Sequence, residues 1–150
     1  MPTDTCAGCG AVYQNNLTCE TVFDDFLALE FTDAAYGEVH LLTVACYMIQ
    51  HGQYSDDALV WIEQQLRDHL EKGIPAEQIR QKAAKETRQD RHTWRVARRK
   101  EDKPQEKIPW SMTILDVALQ YQDSESYRKL VRQWASITLS EMRPLLPDPK

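Results

Sequence analysis

The stretch "LALEFTDAAYGEVHLLTVACYMIQHG", residues 27–52, decides how the chain is read. Between Tyr36 and Gln50, the residues Val39, Leu42, Thr43, Cys46 and Ile49 recur at three- and four-residue intervals, which is one stripe of a helix. The polar segment "HGQYSDD" ends it. Upstream, "TDAAYG" separates it from an earlier helix over about Glu20–Phe31, with Phe23, Phe26, Leu27 and Glu30 on its inner face and Thr18 or Thr21 as its cap. So short a connection makes the two helices antiparallel neighbours.

Working outward, Ser55 caps a third helix that turns Leu59, Ile62, Gln65 and Leu66 inward and stops at Gly73. A fourth helix starts at "IPAEQ", where Pro75 stands at a permitted first-turn position. From Arg80 to Lys107 charge overrides periodicity, as in a polar helix extension followed by a loop. Order resumes at "KIPWSMTILDVA", in which Thr113 and Asp116 have capping-box spacing. A last helix over about Glu125–Met142 turns Tyr127, Leu130, Val131, Trp134 and Ile137 inward, and Pro144 ends it. No strand pattern and no internal repeat is present. The expected fold is all-α: one domain over 1–150, an irregular bundle of five or six helices with an N-terminal knuckle. Its parts are the knuckle (1–19), a helical core (20–90), a charged loop or extension (91–110) and C-terminal helices (111–143).

With 150 residues, 42% of them hydrophobic and 27% charged, the chain has the composition of a globular domain. Its apolar runs are too short to span a bilayer, and "MPTDTC" lacks the features of a signal peptide, so a cytoplasmic location is expected. The net charge of −5 hides an asymmetry: residues 1–66 contain ten Asp or Glu and no Lys or Arg. Residues 80–103 hold ten of the 18 basic residues against four acids. That stretch either neutralises the acidic half, within the fold or across a dimer, or meets an acidic partner through Arg88, Arg91, Arg95, Arg98 and Arg99. Trp94 inside it would suit nucleic acid, one ring stacking beside several phosphate contacts.

Three of the four cysteines lie in "CAGCGAVYQNNLTC", residues 6–19. A C-x-x-C turn places two sulfurs at the separation one metal ion needs, and in a reducing compartment such clusters point to metal or redox chemistry. The thioredoxin-like redox arrangement requires a preceding strand, and none is expected here. Zinc needs four ligands for a closed tetrahedron, and Cys19 supplies a third. His40 and His51 are candidates for the fourth. They share a helix face but stand about 16 Å apart along the axis at about 1.5 Å per residue, so one ion cannot take both. The antiparallel pairing brings the end of the second helix, beside His51, to the start of the first, beside Cys19. Cys6, Cys9, Cys19 and His51 are therefore the expected ligand set; helix capping is the alternative role for His51. Ligand type alone does not separate zinc from iron, though zinc is the default for this set. Cys46, on the apolar stripe, reads as a buried small hydrophobe.

Glu30, Tyr36 and His40 at the hairpin turn form a second candidate polar site, either an acid–base or metal-binding group or a hydrogen bond pinning two helices. His69 and His92 read as surface residues. No phosphate loop, nucleophile elbow or His-Glu-x-x-His pattern occurs.

The pattern "CAGCG", then Cys19, then the opening 27–52 stretch resembles bacterial domain-of-unknown-function family 5946. "SMTILDVA" and "LVRQWAS" are similar to later elements of that family. The resemblance implies no particular activity. It maps onto Cys6, Cys9, Cys19, Glu30, Tyr36, His40, Thr43, Tyr47, Gln50 and His51, with Gly52 where proline is usual and Ala45 where aspartate is common. The functional expectation is a zinc-stabilised helical protein that acts by binding another protein or a second copy of itself. A metal-dependent enzyme around Glu30, Tyr36 and His40 is one alternative, and nucleic-acid binding through 80–103 the other.

Overall fold

The computed structural model describes residues 5–14, 16–88 and 95–147, the side chains of 86–88 excepted. Among these residues are six α-helices: α1 (Cys19–Thr32), α2 (His40–Gln50), α3 (Asp56–Lys72), α4 (Ala76–Arg88), α5 (Ile114–Gln120) and α6 (Ser124–Glu141). Short 3-10 helices cover Ala34–Val39 and Arg143–Leu145. Two isolated antiparallel bridges, Thr5 with Val12 and Tyr54 with Ala97, are the extended pairings among the described residues, and no strand forms. The protein is an all-α irregular bundle. No helix among the described residues is long and apolar enough to cross a membrane.

Local chemistry sets most of the boundaries. Thr18 and Thr21 form a reciprocal capping box at the start of α1. The Ser55 hydroxyl accepts from the Ala58 N–H at 3.1 Å and opens α3, which ends on Gly73 in the left-handed region, at φ 73°. The Asp116 carboxylate accepts from the Thr113 N–H at 2.8 Å and opens α5. One expectation is corrected: Tyr36 to Val39 belong to a 3-10 helix, not to α2. The Asp33 carboxylate accepts from the Ala35 N–H at 3.0 Å, and a tight 3-10 turn reverses the chain in fewer residues than a longer α2 would allow. The inner row of α1 also differs. It is Cys19, Val22 and Phe26 that are buried, while Leu27 is only half-buried. The helix begins at Cys19, and three- and four-residue steps from there define the inward row.

The core is centred on α6, which packs against α2, the 3-10 turn, α3 and α5. Tyr127, Val131 and Trp134 of α6 meet Leu42, Cys46 and Ile49 of α2 in one buried apolar cluster with Phe26, Leu59, Leu66, Ile114 and Val117. Phe26, Tyr36, Tyr121 and Tyr127 form an edge-to-face aromatic box with ring centroids 5.0–6.3 Å apart. Two buried polar side chains of α2, Thr43 and Gln50, set its register on α6 and on the segment before α5. The Thr43 and Tyr127 hydroxyls are hydrogen-bonded at 3.2 Å. Gln50 Nε2 donates to the Met112 carbonyl at 2.9 Å and to the Thr138 hydroxyl at 3.0 Å. Buried groups of this kind lose a full desolvation term when misaligned, so α2 cannot slide or rotate freely. That fixes the position of His51, the residue immediately after α2.

Candidate metal centre

Cys6 and Cys9 sit on a tight turn. The Cys6 N–H donates to the Ala11 carbonyl at 2.8 Å, the Gly10 N–H to the Cys6 carbonyl at 3.0 Å, and the Gly8 N–H to Cys6 Sγ at 3.4 Å. Gly10 has φ 81°, a conformation that glycine adopts without penalty. Gly8 is required for a different reason. A Cβ there would lie 2.9 Å from His51 Cδ2, so any side chain at this position displaces the imidazole. Cys19 is the first residue of α1, and its sulfur lies 3.6 Å from Cys9 Sγ.

The ligand atoms of Cys6, Cys9, Cys19 and His51 all lie within 4.8 Å of one another. Among the described residues this is the one group of three or more His, Cys, Asp or Glu side chains placed to hold an ion. A tetrahedral ion with metal–sulfur bonds of about 2.3 Å has sulfur–sulfur edges of about 3.8 Å, close to the Cys9–Cys19 separation. All four cysteines of the chain are unpaired thiols.

His51 is oriented from behind. Its Nδ1 meets the Tyr47 carbonyl at 2.7 Å, so Nδ1 carries a proton, and in the neutral ring Nε2 keeps its lone pair. Nε2 is buried and has no hydrogen-bond partner. A buried lone pair beside three sulfurs, with its tautomer set by the other nitrogen, is the arrangement of a metal-ligating imidazole. The ring also stacks on Tyr47 at 4.2 Å between centroids, and Tyr47 stacks on Phe23 at 4.0 Å. The resemblance includes Tyr47, but the residues alone give it no role in the ligand set. Its spacing four residues before His51 on one helix was the available signal.

The sulfurs polarise one another. Contact with Cys19 Sγ holds Cys9 down at about 4, against burial and with help from His51. Cys19 is pushed up by the Cys9 thiolate and by burial. Burial opposes ionisation of Cys6, but the Tyr13 hydroxyl and the amides of Cys9 and Gly8 outweigh it, and Cys6 is lowered. The cluster thus favours at least one thiolate and concentrates negative charge where a cation would sit. Cys46 behaves differently: it is fully buried, and burial pushes its thiol up to about 12. It packs as an inert apolar residue.

Glu30 and His40 meet at the far end of α2, with His40 Nδ1 at 2.8 and 2.9 Å from the two carboxylate oxygens. Tyr36 is not hydrogen-bonded to that pair among the described contacts; its ring packs on Tyr121 and Tyr127. Glu30 and His40 therefore tie α1 to α2. His69 Nδ1 lies 2.7 Å from the Ile74 carbonyl beyond the end of α3. Of the basic candidates, Arg98 donates to the Tyr54 carbonyl at 3.0 Å and to Asp56 at 2.5 Å, and Arg95 pairs with Asp102 at 3.2 Å. Arg99 is exposed and 3.8 Å from Glu101, a pairing that contributes little in water. Arg91, His92, Trp94 and the Arg88 side chain lie outside the described residues.

A model described as a family of unknown function, DUF5946, matches residues 4–143. The chain belongs to this family. No curated protein and no solved structure matches it. Gly52 has φ 65° and its N–H donates to the Ile49 carbonyl at 3.3 Å, neither of which a proline permits. Ala45 is buried in the core, so no carboxylate is offered there.

Proposed function

We propose that Cys6, Cys9, Cys19 and His51 hold one structural zinc ion, and that this DUF5946 member acts by binding another protein or a second copy of itself. The observation that carries this reading is the closed ligand set. Three thiols and one oriented imidazole lie close enough to share one ion, and four such donors would fill a tetrahedron and leave no position for water or substrate. Zinc is the cation that this donor set selects by softness and geometry. Bound there, it joins the N-terminal turn, the start of α1 and the end of α2, and its binding free energy becomes folding free energy.

The charge distribution supports an interaction role. Residues 1–66 present acids without a single Lys or Arg, a field that favours basic partner surfaces. Elemental analysis of protein purified without added metal, and without a histidine tag, tests the metal reading. One zinc per chain is expected. A metal content below one tenth of that, in protein whose thiols are reduced, would contradict it.

A further inference from the structure

We infer that occupancy of the metal centre governs whether residues 95–107 stay docked on the bundle; the inference rests on the metal reading above. This segment is a strap held by polar contacts. The Ser55 N–H donates to the Val96 carbonyl at 2.8 Å, and the Ser55 hydroxyl to the Arg95 carbonyl. The Arg98 N–H donates to the Gln53 carbonyl at 2.8 Å, and the Arg98 guanidinium reaches Tyr54 and Asp56. Gln105 Nε2 donates to the Ile49 carbonyl at 2.8 Å, and Lys107 Nζ to the Ala7 carbonyl.

The receiving groups fall in two places. One is the segment from Ile49 to Asp56, which contains His51; the other is Ala7, between Cys6 and Cys9. The strap is thus seated on the two pieces of chain that a metal ion would join. It has no apolar anchor of its own: Val96 and Ala97 are exposed, its half-buried residues Arg98, Asp102 and Gln105 are polar, and apolar burial resumes at Ile108 and Trp110. Polar contacts of this kind persist only while the receiving backbone is ordered. Removing the ion takes away the link it supplies between His51 and the Cys6–Cys9 turn, and leaves three sulfurs crowded together. The Ala7 carbonyl and the turn after α2 then lose their fixed separation, and the strap loses both seats. Its basic residues, among them Arg98 now engaged by Asp56, become available to an acidic partner.

Trypsin digestion of the full chain, followed by mass spectrometry, tests this. Cleavage after Arg95, Arg98, Arg99, Lys100 and Lys107 reports on the strap, and cleavage after Arg67 and Lys72 of α3 serves as control. Stripping the metal with a chelator is expected to speed strap cleavage about tenfold while α3 stays protected, and added zinc restores protection. The double variant Gln105→Ala with Lys107→Ala should show the fast strap cleavage with zinc content unchanged. Equal strap rates with and without zinc, in protein shown to bind one ion per chain, would overturn this inference alone. So would equal acceleration at α3, or a double variant cleaved as slowly as the parent. A chain that binds no metal would remove the metal reading and this inference together.

Discussion

Cys9→Ser is expected to abolish stoichiometric zinc binding and to lower the melting temperature of the zinc-loaded protein by about 8–16 °C. Cys9 is the most buried residue of the C-x-x-C turn, and its sulfur touches that of Cys19. A serine hydroxyl is a poor zinc ligand and leaves the tetrahedron incomplete. An ion present at a thousand times its dissociation constant stabilises the folded state by about 4 kcal/mol. At about 2–4 °C per kcal/mol for a domain of this size, that gives the stated range. The helices should survive, because most of the buried cluster, Phe26, Leu42, Leu59, Ile114, Tyr127 and Trp134 among it, lies outside the knuckle residues that join it. Thermal unfolding with and without chelator checks the expectation. The chelator should lower the melting temperature of the parent and leave Cys9→Ser unmoved. A variant as stable as the parent would contradict it.

Trp134→Ala is expected to destabilise by about 3–5 kcal/mol, the usual consequence of emptying a large, fully enclosed aromatic site. Trp134 has no exposed surface and lies in the core cluster where α6 meets the rest of the bundle. The corresponding fall in melting temperature is about 6–20 °C. Zinc stoichiometry should be retained below the new midpoint, since the four ligands come from the N-terminal turn, α1 and the end of α2. Urea unfolding with metal analysis of the folded protein separates the two terms. A loss under about 1 kcal/mol would mean that α6 is not the centre of the core. Together the variants assign local stability to the metal and global stability to α6.

The fold was legible wherever a residue's role depends on its near neighbours. Ser55, Gly73 and the Thr113–Asp116 pair announce helix ends through contacts within four residues. The α2 stripe is buried as its period requires. His51 could be placed beside Cys19 because a short turn forces α1 and α2 to be antiparallel. The 3-10 helix over Ala34–Val39 was hidden because its residues keep the helical stripe while Asp33 tightens the backbone. Gly8 looked like an ordinary turn glycine; its need to admit the His51 ring arises from residues 43 positions apart. The strap was illegible for the same reason. Its bridge from Ala97 to Tyr54 joins segments with no shared periodicity, across a span dominated by charge.

Absorption spectroscopy of the cobalt-substituted protein tests the central claim most directly, because cobalt(II) reports both ligand type and coordination number. A closed site of three thiolates and one imidazole predicts strong thiolate-to-cobalt charge-transfer bands and intense tetrahedral visible bands, unchanged by added azide. His51→Ala should open a position and make those bands respond to azide. Weak six-coordinate bands, or a parent spectrum that shifts with azide, would contradict a closed centre built from Cys6, Cys9, Cys19 and His51.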